Sequence, residues 1–397
     1  MKKLLLAAAL LASAPAGAEA PLPETRFEGD RTLLLRDGAE FTFRDCAREQ
    51  RKRHPSLQAE DMLKLCVQGA CGPEHILGGT EAAERAFEEE FSSVPARPER
   101  ALYEIISPDF LRVDLSAWKA SRMPSEWLFR MFAASARTFR DSDAVLKKYL
   151  DEAEDLLSGE QRTRFAELRK TGRTAVRHSK IYHDSEAPSY RLVSTRFLHV
   201  FPVLLKAAAL PDKPVRVLAI DGRSASGKTT LARQLAGILR ADVVHMDDFF
   251  LPPELRTEAR YAEPGGNVHY ERFSEEVLPH LRGPEAFSYR VFDCSTMKYG
   301  AGTEIRSKPW RIVEGAYSLN PKFGDYADLK IFYDIAPEEQ VRRIRLRNGE
   351  RGLRMFRTRW IPLEEKYILN CGPDRRADLI LGRRRTPSKL KEDIRAR

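Results

Sequence analysis

The chain has 397 residues, enough for two or three folded units, and its 42% hydrophobic content supplies real cores. After the first twenty residues no run approaches the roughly 18 consecutive apolar residues of a membrane span, which excludes stable membrane insertion. The net charge of +9 arises from Lys and Arg scattered over the chain, densest at 342–357 and 383–385, so nucleic acid is not expected as a partner.

Residues 1–20 form a signal-like segment. Lys2 and Lys3 precede an apolar run over 4–12, then Pro15 and the small residues Ala16-Gly17-Ala18, the layout of a secretory leader. From 21 to 210 the pattern is mostly helical. Met62, Leu65 and Cys66 share one face, and Thr80 is placed to cap a helix carrying Ala83, Phe87 and Phe91. After Asp141 and Ser142, the residues Val145, Leu146, Tyr149, Leu150, Ala153, Leu156 and Leu157 recur at helical spacing, and a shorter helix with Phe165 and Leu168 ends before Gly172. Residues 59–170 thus read as an all-α module whose role the sequence does not assign. Cys71-Gly-Pro-Glu-His75, His178 and His183 match no metal-ligand spacing, and the five cysteines form no CxxC pair, so capping and surface roles are expected for them.

Pro211-Asp-Lys-Pro214 reads as a linker, beyond which strands alternate with helices. Apolar runs at 215–220, 242–245, 311–313, 329–333 and 378–381 predict a parallel sheet covered on both faces. Residues 215–385 are therefore expected to form an α/β domain, followed by a basic tail at 386–397.

The most specific segment follows the first of these strands. Gly222-Arg-Ser-Ala-Ser-Gly-Lys-Thr229, with Thr230 next, fits GxxxxGK[ST] between an apolar strand and a helix marked by Leu231, Leu235 and Leu239. Gly222 and Gly227 let the backbone turn tightly, so that the amides of Arg223, Ser224, Ala225 and Ser226 and of the helix start face phosphate oxygens. Lys228 reaches the β- and γ-phosphates, and the Thr229 hydroxyl ligates Mg²⁺. The pattern predicts a P-loop NTPase fold that binds ATP with Mg²⁺.

Asp247 and Asp248 close the next strand, on the edge of the sheet where the loop lies. Asp247 is the expected base that takes a proton from an acceptor hydroxyl; Asp248 has a capping role, and the two could exchange. Glu314 ends the apolar strand Arg311-Ile-Val-Glu as a Walker-B-type carboxylate, expected to hold Mg²⁺ directly or through water. Farther on, Arg342, Arg343, Arg345, Arg347, Arg351, Arg354 and Arg357 surround Asn348-Gly349. Most are solvated, but a lid hinged at Gly349 and Gly352 needs two cations, expected among Arg343, Arg347 and Arg351, to clamp the transferring phosphoryl group.

These segments, with 263–273 around Asn267 and Tyr289-Arg-Val-Phe-Asp293, resemble the uridine kinase branch of P-loop kinases over about residues 215–381. The resemblance implies an adenylate-kinase-like sheet order and an ATP–Mg²⁺ kinase acting on a small-molecule hydroxyl, a nucleoside favoured. It gives Asp247 the catalytic aspartate's place, Glu314 the magnesium-associated glutamate's and Tyr289 a place in the acceptor pocket, with Asp248 and Asn267 beside it. The acceptor side departs from the family. His269 stands where an acid contacts the ribose, and Asp293 and Cys294 stand where a histidine follows the tyrosine. The alternative is a P-loop ATPase switch that regulates the N-terminal region without phosphorylating an acceptor. ATP chemistry places the chain in the cytoplasm, while residues 1–18 read alone indicate export; the oligomeric state stays open.

Overall fold

The computed structural model describes residues 24–28, 31–36, 39–73, 80–136, 142–171 and 177–382. The signal-like segment, His75, the basic run 383–385 and the tail 386–397 lie outside them. The chain divides into two compact units between Ala209 and Leu210.

The N-terminal unit opens with a small antiparallel sheet of β1 (Glu24–Glu28), β2 (Arg31–Arg36) and β3 (Ala39–Glu40). Its core is helical. The helix Ala59–Cys71 packs on the helices Ser142–Glu154 and Gly159–Leu168, burying Met62, Leu65, Cys66, Leu146, Ala153 and Phe165, with Phe43 stacked on Tyr149 at 4.0 Å between ring centroids. The apolar spacing of these helices is what buries them.

The reading of 59–170 as all-α is corrected by a second antiparallel sheet. It consists of β4 (Tyr103–Ile105), β5 (Phe110–Asp114) and β6 (Tyr190–Ser194), in that order. Phe110, Leu111, Arg112 and Val113 are all buried, so β5 has no polar–apolar alternation to betray it, and β4 is too short to show a period.

The C-terminal unit holds a five-stranded parallel sheet in the order β13-β12-β7-β11-β8. Its strands are β7 (Arg216–Gly222), β8 (Asp242–His245), β11 (Trp310–Glu314), β12 (Leu329–Tyr333) and β13 (Leu379–Leu381). This is the α/β P-loop NTPase architecture, with helices around the sheet. Both faces are covered. Val217, Ala219 and Val313 pack against Phe249, Phe273 and Tyr317, while Leu218 and Ile220, which alternate with them, are equally buried on the opposite face. An antiparallel hairpin, β9 (Phe287–Asp293) with β10 (Lys298–Ile305), was not anticipated; the glycine-rich Tyr299-Gly-Ala-Gly of β10 hides it. β7 lies mid-sheet, and its register sets Ile220 beside Glu314 and Glu314 beside His245. Side chains from three elements therefore reach one carboxyl edge, where connections leave the sheet in opposite directions.

Candidate functional site

The loop after β7 is fixed from below. Asp221, 1% exposed, accepts hydrogen bonds from the amides of Gly222, Tyr317 and Leu319 and, at 2.7 Å, from the Tyr367 hydroxyl. Gly222 has φ +146°, and a Cβ there would stand 2.2 Å from the Tyr333 carbonyl oxygen. Ala225 (φ +61°) and Gly227 (φ +110°) continue the alternation that turns backbone amides into a concave nest. The helix Lys228–Leu239 starts there without a side-chain cap, so its first amides are open at the nest. The Ser226 hydroxyl is buried with no partner in the structure. These features fit a phosphate group. Lys228 is 8% exposed, and its Nζ donates to the Arg223 carbonyl at 2.8 Å, holding the ammonium at the loop.

Four acidic and imidazole groups meet this loop. Thr229 Oγ1 donates to Glu314 Oε2 at 3.3 Å, and Glu314 Oε1 lies 2.7 Å from His245 Nδ1. The bond from Glu314 raises the His245 pKa. An exposed hydroxyl and a carboxylate form the hard-oxygen set that suits Mg²⁺. Asp248 Oδ2 accepts from the Tyr289 hydroxyl at 2.8 Å; burial raises the pKa of both.

Asp247 differs. It is exposed to solvent, yet it has no hydrogen-bond or ion-pair partner among the described residues. The surrounding protein displaces enough water to raise its pKa from the ordinary 3.8; Glu314 and Asp248 add to the shift, and Lys228 and His245 oppose it.

The other expected residues divide. Of the lid arginines, only Arg343 is brought onto the loop, with Nη1 3.1 Å from the Ser226 carbonyl and 3.3 Å from that of Ala225. Arg347 bonds its neighbour Asn348 and stacks on Phe356, and Arg351 is exposed on the same helix. That helix, Pro337–Met355, kinks at Gly349, whose φ of +67° is a conformation glycine takes at little cost. Thr230 is exposed in the first turn of its helix. Asn267 is buried beneath the loops, with its side-chain oxygen unpartnered. His269 caps the helix Tyr270–Glu276 by accepting from the Arg272 amide at 3.4 Å, with Glu271 3.1 Å from the same Nδ1. Its Nδ1 is engaged at that helix start.

The sequence reading missed Glu364. This carboxylate, 5% exposed on the helix Ile361–Cys371, accepts from the Ser224 amide at 3.0 Å, from the Ser224 hydroxyl and from Gln340. Burial raises its pKa. Arg223 is held in parallel by Asp334 at 2.8 Å and by Glu365. The adjacent acids Glu364 and Glu365, just past the arginine cluster, were the available signal.

No family model matches the chain, and no curated protein does. Among solved structures, a possible uridine kinase from Bacillus stearothermophilus is similar at 22% identity, covering 47% of this chain and 97% of that one, with a TM-score of 0.38. A candidate fructose transport system kinase from Silicibacter sp. TM1040 is similar at 24% identity, covering 43% of this chain and 91% of that one, with a TM-score of 0.36.

Proposed function

We propose that residues 215–385 act as an ATP-dependent kinase that transfers the γ-phosphate to a hydroxyl of a small molecule, with a nucleoside as the favoured acceptor. One observation carries the reading. Of the three acids at the carboxyl ends of β8 and β11, Glu314 is engaged by Thr229 and His245 and Asp248 by Tyr289, leaving Asp247 alone without a hydrogen-bond partner among the described residues. A loop that only binds and releases nucleotide needs no such acid.

In this reading the nest amides and Lys228 hold the phosphates, and Thr229 with Glu314 holds the metal. Bound ATP and Mg²⁺ supply the phosphoryl group and the charge that neutralises its oxygens. Asp247 accepts the proton of the acceptor hydroxyl and aims its oxygen. Tyr289 fixes Asp248 as a wall of the acceptor cleft. Arg343, tied to two loop carbonyls and to Glu339 at 2.8 Å, brings positive charge to the same loop.

Replacing Arg343 with alanine should lower kcat by roughly a hundred-fold, the scale of one lost charge-stabilising donor. The reading itself is tested by ATP consumption against a panel of nucleosides, sugars and vitamin precursors. Acceptor-dependent turnover supports it; slow hydrolysis that no acceptor accelerates would replace it with the nucleotide switch.

A further inference from the structure

The N-terminal unit buries a polar cluster that the kinase reading does not use. The helix Ala59–Cys71 carries Asp61, Lys64 and Gln68 at spacings of three and four, a single stripe on its surface. Against it lie His178, Ser179, Arg112 of β5 and Tyr190 of β6.

Asp61, 1% exposed, accepts from His178 Nδ1 at 2.8 Å, from Ser179 N at 3.0 Å and Oγ at 2.6 Å, and from Gln58 N at 3.0 Å. Burial pushes its pKa up, but the bonds from His178, Ser179 and Gln58 carry it below the usual range, so it is ionised. An acceptor-only partner fixes the imidazole tautomer. Nδ1 carries the proton and Nε2 is a bare acceptor. The Tyr190 hydroxyl, 2.6 Å from Nε2, donates to it; its other possible acceptor, Gln68 Oε1, is 3.4 Å away. That oxygen already takes Arg112 Nε and Nη2 at 3.0 and 2.7 Å, and Gln68 Nε2 donates to Tyr190 at 3.1 Å. The donors therefore run one way, from Arg112 through Gln68, Tyr190 and His178 to Asp61.

The charges around this line do not balance. Arg112, 4% exposed, and Lys64 have no carboxylate within ion-pair distance among the described residues. Asp61 is filled by its four donors, and Glu104, opposite Arg112 in the β4–β5 ladder, is taken by Gln50, Arg53 and His54. Glu104 and Asp61 act on Arg112 and Lys64 only from beyond ion-pair distance. A buried guanidinium whose direct contacts are a neutral amide and the Tyr190 ring, 4.8 Å below it, gains from an anion placed against it.

We infer that Asp61, His178 and Tyr190 form a second acid–base centre, which acts on a small hydroxy compound whose oxyanion group is held by Lys64 and Arg112. The ligand hydroxyl gives its proton to Tyr190 Oη while Tyr190 gives its own to His178 Nε2. The imidazolium so formed pairs with Asp61, and the new oxyanion faces Lys64. His178 is set for the task. Burial lowers its pKa, Arg112 and Lys64 lower it further, and Asp61 opposes them; Tyr182 stacks on the ring at 4.6 Å.

The test uses the full chain and an aryl sulfonyl fluoride, with modified tyrosines located by mass spectrometry. At Tyr190 an O–S bond forms, the S–F bond breaks, fluoride leaves and the phenol proton passes to His178. Tyr190 should react roughly a hundred-fold faster than the exposed Tyr299, the low end of general-base assistance. The advantage should persist through neutral pH and fall only once the pH drops below the ordinary histidine value of 6.5. Inorganic phosphate or acetate should slow the labelling, and the more effective ion tells a phosphate ligand from a carboxylate. Lys64→Gln should weaken that protection, and His178→Gln should remove the rate advantage. Labelling of Tyr190 no faster than of Tyr299, or an advantage with neither an acid limb nor protection by either ion, overturns the inference. The pH profile and the ion protection are read on the unmodified chain, so neither depends on a variant folding.

Discussion

Lys228→Ala should lower acceptor phosphorylation by about a thousand-fold or more, the range seen when a cation is withdrawn from a phosphoryl-transfer site. The ammonium favours the ionised forms of Asp221, Asp247 and Glu364 alike. Its removal takes away the point charge on the phosphates and drives the Asp247 pKa further up, so the base is also less often ionised at a given pH. The fold should survive, because Lys228 makes one hydrogen bond, to the Arg223 carbonyl within its own loop. Steady-state turnover and a thermal melt on the same sample read the two parts separately. Turnover within about tenfold of the parent in a folded variant would remove the loop from the chemistry.

Asp247→Asn should cost roughly 10²–10⁴ in kcat, the worth of a general base, while nucleotide affinity stays near that of the parent. The substitution keeps the size and loses the negative charge together with the ability to take a proton. The parent's rate should fall as the pH drops through the Asp247 pKa, which the water-displacing protein around it sets above the ordinary 3.8. The carboxylate form is the working one, so activity lies on the alkaline side of that step, and the asparagine variant should lack the step. A variant as fast as the parent moves the base elsewhere, with Asp248 next in line.

Much of the C-terminal unit was legible in the residues. The central strands β7, β11 and β12 are short apolar runs largely buried on both faces, and 242–245 and 329–333 match the strands Asp242–His245 and Leu329–Tyr333. The glycine loop announces itself because a tight anion cradle permits few residue types. Legibility ended where placement depends on partners distant in sequence. Glu364 reaches Ser224 across 140 positions, and no local pattern carries that contact. The arginine run narrowed to Arg343, Arg347 and Arg351 but no further, and only the turn of one helix decides that Arg343 faces the loop while Arg347 faces Phe356. In the N-terminal unit burial of both faces erases alternation in β5, and β4, three residues long, is too short to show any. His178 was read as a surface or capping residue, since its partner Asp61 lies 117 positions away.

The close approach of Gly222 to Tyr333 also limits how the chain can vary. With the Tyr333 carbonyl 2.2 Å from where any β-carbon would begin, position 222 admits no other amino acid unless β12 itself retreats. Gly324, at φ +67° with nothing within 4 Å, is free in space and bound only by its torsion, so asparagine or aspartate is an open path there. Two glycines of one domain thus face opposite evolutionary prospects: a locked site whose history is tied to a neighbouring strand, and a loose one able to drift alone.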